Sequence, residues 1–222
     1  MTDFALARRN MVDGQLRPNK VTNVDLLAAV GELPRERFLP DALRAVAYAD
    51  DDVPLGNGRY LMEPMVLARL IQALQPGPDD RALVVASGRG YGAALLARLV
   101  KSVVAVESDP GMASAADQTV KALGLGNVTH HVGKCEDGAA AAGPYDIVLI
   151  EGAVRQIPQS LIDQIAEGPG RAAGPPARRS SDRSPNSRPR YASRFVCFFF
   201  PENSSDEKLN CVISNLNPVQ SS

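Results

Sequence analysis

The sequence predicts an α/β protein, an open and mostly parallel sheet with helices on both faces. Three observations predict it. Short apolar runs at Ala82 to Ala86, Ser102 to Val106 and Tyr145 to Ile150 have the continuous hydrophobicity of strands covered on both sides. Between the first two lies a glycine-rich turn, Ser87 to Gly92, followed by helical spacing at Leu95, Leu96 and Leu99. The second run ends in Glu107, about 20 residues past the turn, where such folds place an acid that accepts hydrogen bonds from sugar hydroxyls.

Taken in order, the elements agree with that class. Met1 to about Pro40 reads as a small helical region. Asn23 caps a helix carrying Val24, Leu26, Leu27 and Val30, and Gly31 ends it. Tyr48 to Arg59 reads as a turn-rich loop, and its acid run Asp50 to Asp52 as a solvated face. Pro64 opens an amphipathic helix with Val66, Leu67, Leu70, Ile71 and Leu74 on one side. After the second strand, Asp109 is an N-cap and Pro110 the first helical residue, with the helix running to Leu123 before Gly124. Asn127 to Val132 is a third strand. Its His130 and His131 point to opposite faces and cannot act as a pair, so a structural role is expected for each. Tyr145 to Ile150 leads to Glu151 at its carboxyl end, and Pro158 starts a helix through Ile165.

From Gly168 the chain changes character. Residues to Arg190 are crowded with Arg, Pro, Ser and Gly and lack apolar periodicity, so disorder is expected, with a linker favoured over a nucleic-acid arm. Arg194 to Pro201 reads as one strand, with a weaker strand signal at Cys211 to Ile213. This gives three regions: 1–62, helical with a loop on the acceptor side; 63–168, the sheet core; and 169–222, an atypical tail that leaves the sheet incomplete.

The bulk properties exclude several function classes. A net charge of -1 gives no global pull toward nucleic acid or anionic membrane. Trp is absent and aromatics are few, which speaks against a base-stacking platform. The three cysteines form no metal-ligand spacing, and a reduced, cytoplasmic protein is expected. The start of the chain lacks a signal-peptide core, and no apolar run approaches the ~20 residues of a membrane span. Within the turn, Gly88, Gly90 and Gly92 alternate, and the third glycine of the dinucleotide fingerprint is missing. A nucleoside without a pyrophosphate is therefore the expected ligand, and S-adenosyl-L-methionine is the commonest such cofactor in this fold.

From about Arg9 to Gly168 the chain resembles the bacterial protein-L-isoaspartate O-methyltransferases. The resemblance is carried by pieces in a fixed order: MVDGQLRP, LPRERFLP, YADDDVPLGNG, EPMVLARLIQAL, the glycine turn, VVAVESDP, PYDIVLIEGAV and IPQSLIDQIAEG. It implies a Rossmann-like S-adenosylmethionine-dependent methyltransferase fold and methyl transfer to the carboxylate of L-isoaspartyl residues in damaged proteins. The implied acceptor is a peptide or protein carrying isoaspartate, met by a cytoplasmic monomer without metal, membrane or nucleic acid. By resemblance, Gly88, Gly90 and the neighbouring backbone hold the methionine portion of the cofactor, Glu107 binds its ribose, Asp137 or Glu136 lies beside its adenine, and Ser87, Tyr91 and Ser108 complete the cofactor-binding set. The loop at Asp50 and the segment Tyr60 to Pro64 face the acceptor. Three departures stand out. Val84 and Ala86 replace an acid and a glycine, Met62 replaces a serine whose hydroxyl a thioether cannot imitate, and the tail replaces the closing strands. The alternative these departures favour is a non-catalytic member that binds the cofactor or a protein partner.

Overall fold

The computed structural model describes residues 3–154 and 156–166, and the backbone of two strands at 194–199 and 210–215. The expected disorder of 169–190 lies outside the described residues. At the N-terminus, α1 (Phe4–Met11) is capped by Asp3, whose side chain accepts from the Leu6 N–H, and runs into a wider turn over Val12–Leu16. In α2 (Val24–Glu32) the Asn23 side chain accepts from Leu26 N–H, as expected, but the helix continues through Gly31. Nothing there requires a left-handed residue. The expected loop instead contains a hairpin, β1 (Val53–Gly56) and β2 (Arg59–Leu61), turning at Asn57 with φ 51° and Gly58 with φ 69°. Positive φ at both positions is the backbone requirement of a tight hairpin turn.

Helix α3 (Pro64–Leu74) buries Leu67, Leu70, Ile71 and Leu74, each contributing about 1.5–3 kcal/mol of apolar burial. Then follow β3 (Arg81–Val85), α4 (Tyr91–Ala97), β4 (Ser102–Glu107), α5 (Pro110–Ala122), β5 (Val128–Val132), β6 (Ile147–Val154) and α6 (Gln159–Ile162). The helix expected from Pro158 to Ile165 is cut short at Ile162 because the chain returns to Tyr145. Tyr145 N–H donates to the Gln164 carbonyl at 2.9 Å, and Ile165 bridges Tyr145 in parallel.

The strands form one six-stranded sheet in the order β5-β4-β3-β6-β7-β8, where β7 is Arg194–Phe199 and β8 is Asn210–Asn215. All neighbours are parallel except β7 and β8. The strand expected at 194–201 is therefore present, and β7 covers the flank of β6 that an incomplete sheet would leave open. Alternation sorts the core. Ala82, Val84, Val103, Ala105, Ile147 and Leu149 face the layer that includes α2, α3 and α4, whereas Leu83, Val85, Val106, Val148 and Ile150 face Tyr145 and Leu161. Met11, Leu26 and Phe38 join the first group, so the N-terminal helices share one core with the sheet. The consequence for the site is positional: β3 lies between β4 and β6, and the glycine turn leaves its carboxyl end between theirs.

Candidate cofactor and acceptor site

At the end of β3 the backbone turns through three left-handed residues, Ala86 (φ 58°), Gly88 (φ 54°) and Gly90 (φ 87°). Gly90 has no room for a side chain, since a Cβ would lie 2.9 Å from the Ala116 Cβ and 3.2 Å from His130 Nε2. Gly88 lies under the hairpin, 3.6 Å from Leu55 Cδ1 by the same construction. Ala86 adopts the conformation without being glycine, at a cost of order 1–2 kcal/mol.

Glu107 organises this turn. Its side chain is fully buried. Oε2 accepts from the Gly88 N–H at 2.8 Å, and Oε1 accepts from the backbone N–H groups of Ser108 at 2.7 Å and Asp109 at 3.0 Å. Arg59 of β2 also reaches Oε1, through Nε at 3.2 Å and Nη2 at 3.1 Å, and donates from Nη2 to Ser108 Oγ at 2.8 Å. Asn57 at the hairpin tip donates to Asp109 Oδ2 at 3.1 Å, while Asp109 Oδ1 caps α5 through Gly111 and Met112. The hairpin is thus pinned across the carboxyl end of the sheet by two side chains. Asp109 is held below the usual carboxylate range, first by the Met112 N–H and then by Asn57.

The remaining expected residues fall in two groups. Ser87 is buried in the turn, and its Oγ has no hydrogen-bond partner among the described residues. Tyr91 begins α4, but its ring is buried, edge-on to Phe38 at 5.3 Å between centroids and 4.9 Å from the Arg35 guanidinium carbon. Asp137 closes the short 3-10 turn Cys135–Asp137 beyond β5, with its side chain exposed. That turn reaches the site through Cys135, whose Sγ is 3.6 Å from Arg59 Nη2. On the acceptor side, Asp50 is exposed in the loop before β1, and Met62 is buried in the core with its carbonyl accepting from Arg35 Nη2 at 2.6 Å. Glu63 stands beside the acid run. Burial first, then Asp50, Asp52 and Asp51, raise its carboxyl above the ordinary value.

Three functional candidates were not singled out from sequence. Arg35, completely buried, donates from Nε to the Ala47 carbonyl at 2.7 Å and from Nη2 to that of Met62, tying the acceptor loop to β2. Arg59 covers Glu107. Glu151, on β6 just past the Ile150 that pairs with Val85, carries a buried Oε1 with no partner among the described residues. Only Glu151 had a signal, its place at the carboxyl end of a parallel strand. His130 is buried, with Asp117 Oδ1 at 3.8 Å from Nδ1, and burial lowers its pKa, which agrees with the structural role expected. Among the described residues no cluster of His, Cys, Asp or Glu could hold a metal ion.

The family model for protein-L-isoaspartate(D-aspartate) O-methyltransferase matches residues 7–180. The chain belongs to this family. It is 37% identical over 167 residues to protein-L-isoaspartate O-methyltransferase 1 of Rhodopseudomonas palustris, covering 75% of this chain and 68% of that protein. The Roseiflexus sp. enzyme is 37% identical over 164 residues, covering 74% and 75%. Two solved structures share the fold. One protein-L-isoaspartate O-methyltransferase superposes with a TM-score of 0.68 at 22% identity, covering 86% of this chain and 55% of that one. A Plasmodium falciparum structure assigned to the same enzyme class, in complex with S-adenosyl-L-homocysteine, gives 0.66 at 14% identity, covering 97% and 95%. The expected family and fold class are therefore both borne out.

Proposed function

We propose that this chain catalyses S-adenosylmethionine-dependent methyl transfer to the carboxylate of an L-isoaspartyl residue in a protein, with the turn at Ser87 to Gly90 and Glu107 as the cofactor site. The observation that carries the reading is the bond from Gly88 N–H to Glu107 Oε2. It locks the glycine turn and the acid at the end of β4 into one unit, so that the groups for the methionine end and for the ribose keep a fixed separation. The residues fit the cofactor. Ser87 offers a buried hydroxyl without a partner among the described residues, Gly88 and Gly90 give the left-handed turn that brings the backbone to the end of the sheet, and Glu107 is an acceptor for a diol. Asp137 is the residue of the neighbouring turn assigned to the adenine.

When bound, the cofactor supplies a methyl group on a positively charged sulfur. The chain's share of the reaction is positioning, since a carboxylate acceptor is already a nucleophile and alignment of two held reactants supplies most of the rate. Arg35 fixes the Ala47 and Met62 backbones, and thereby the loop at Asp50 that would meet the acceptor peptide. Arg59 must release Glu107 Oε1 before a ribose can take it. We assign the activity to a cytoplasmic monomer. A cytoplasmic setting is supported by the free thiol of Cys135, and no helix among the described residues is long and apolar enough to cross a membrane. Calorimetric titration tests the cofactor. S-adenosylhomocysteine is expected to bind and NAD is not, and equal binding of both, or of neither, would remove the reading.

A further inference from the structure

Glu151 is an acid with a buried Oε1 that the mechanism above leaves unused. It follows Ile150, which pairs with Val85, so it stands level with Ala86 where β3 enters the glycine turn. Ile147 and Leu149 of β6 share a core face with Val84, and strand alternation places Glu151 on that same face, toward α4. Its carboxylate presses on Gly92 in the first turn of that helix, where a Cβ would overlap Oε1. Only glycine leaves the carboxylate its place.

What distinguishes Glu151 is that its Oε1 has no hydrogen-bond partner among the described residues. Glu36, also buried, accepts from Tyr48 and Arg8. Arg35 is the nearby cation, but it spends Nε and Nη2 on carbonyls and its face on the Tyr91 ring, while Nη1 has no partner among the described residues. A buried carboxylate oxygen without a hydrogen-bonded counter-charge is costly, and a ligand cation can supply one. We infer that Glu151 binds the α-ammonium of the methionine portion of the methyl donor, an inference that rests on the cofactor reading above.

The charge balance agrees with this. Burial pushes the Glu151 carboxyl up to about 8, with Arg35 pulling it down and Glu107 pushing it further up. An ammonium at Oε1 supplies the missing positive charge and draws the proton off. The same face of β3 carries Val84, so Glu151 is the acid that this face offers beside the turn.

The test compares three nucleosides by calorimetry on the full chain, wild type against Glu151→Gln. S-adenosylmethionine carries both sulfonium and ammonium, S-adenosylhomocysteine the ammonium only, and 5′-methylthioadenosine neither. Loss of one charge-assisted hydrogen bond is expected to weaken the first two equally, by about 10- to 100-fold, and to leave methylthioadenosine unchanged. The unchanged third ligand also shows that the variant is folded. Unchanged S-adenosylhomocysteine binding in the variant would overturn the inference while leaving the cofactor reading intact. Weakening confined to S-adenosylmethionine would move Glu151 to the sulfonium, and equal weakening of all three would make it structural. If the wild type binds none of them, the cofactor reading falls and this inference with it.

Discussion

Glu107 closes β4 and Glu151 stands on β6 just beyond its pairing with β3, yet Glu107 is surrounded by donors while Glu151 Oε1 has none among the described residues. Glu107 accepts from three backbone N–H groups and from Arg59, and so fixes the turn before any ligand arrives. Glu151 has the turn beside it but no partner at Oε1 among the described residues. A carboxylate that shapes a binding loop must be satisfied by the protein. One that recognises a ligand's charge can stay unsatisfied, at a cost in stability that binding offsets.

The largest expected effect breaks the satisfied side. Glu107→Ala strips the Gly88 N–H and Arg59 of their acceptor, and should reduce S-adenosylhomocysteine affinity by more than about 100-fold, since hydrogen bonds to charged groups contribute ~1.5–3 kcal/mol each. Calorimetry measures it, and affinity within about tenfold of wild type would mean that the ribose lies elsewhere.

The unsatisfied side is sharpened by pH. Glu151 keeps its proton up to about 8 in the folded chain, against an ordinary value of 4.5. Between those values the native state holds a proton that the unfolded state has released, so this contribution to stability is fully present below about pH 4.5 and is lost as pH rises through 8. Denaturant midpoints should fall from pH 6 to pH 9 in the wild type and stay flatter in Glu151→Gln. Parallel curves for the two proteins would show that the carboxyl is not held protonated.

A smaller effect concerns the hairpin that lies over Glu107. Arg59 is partly exposed, so its ion pair contributes at most about 1 kcal/mol. Arg59→Ala should therefore tighten S-adenosylhomocysteine binding by up to about fivefold, whereas weaker binding would mean that Arg59 touches the ligand. The smallest effect lies in the turn itself. Ala86→Gly removes a left-handed alanine and should raise stability by about 1 kcal/mol, or about 2–4 °C in Tm for a chain of this size. A lower Tm would show that the alanine methyl packs better than its backbone strains.

The same contrast governs what could be read from the sequence. The span from β3 through Glu107 to the Asp109 cap was legible because each feature is local: an apolar run, glycines with positive φ, an acid at a strand end, and an N-cap before proline. The β1–β2 hairpin was missed although Gly56-Asn57-Gly58 is a turn signal, because its strands are short and the acid run before them favours a solvated loop. Arg59 and Arg35 were missed for a different reason. Their roles depend on contacts between residues tens of positions apart, such as Arg59 to Glu107, which no local pattern encodes. Tyr91 shows the converse: a residue of the turn whose side chain turns into the core, against Phe38 and Arg35.

These tests read binding and stability, and the reaction itself can be measured directly. Purified full-length chain incubated with methyl-labelled S-adenosylmethionine and an isoaspartyl peptide should transfer label to the peptide as a base-labile methyl ester, and none to the aspartyl peptide of the same sequence. Tight S-adenosylmethionine binding with no ester formed would contradict the account and leave a protein that keeps the family's cofactor site without its chemistry.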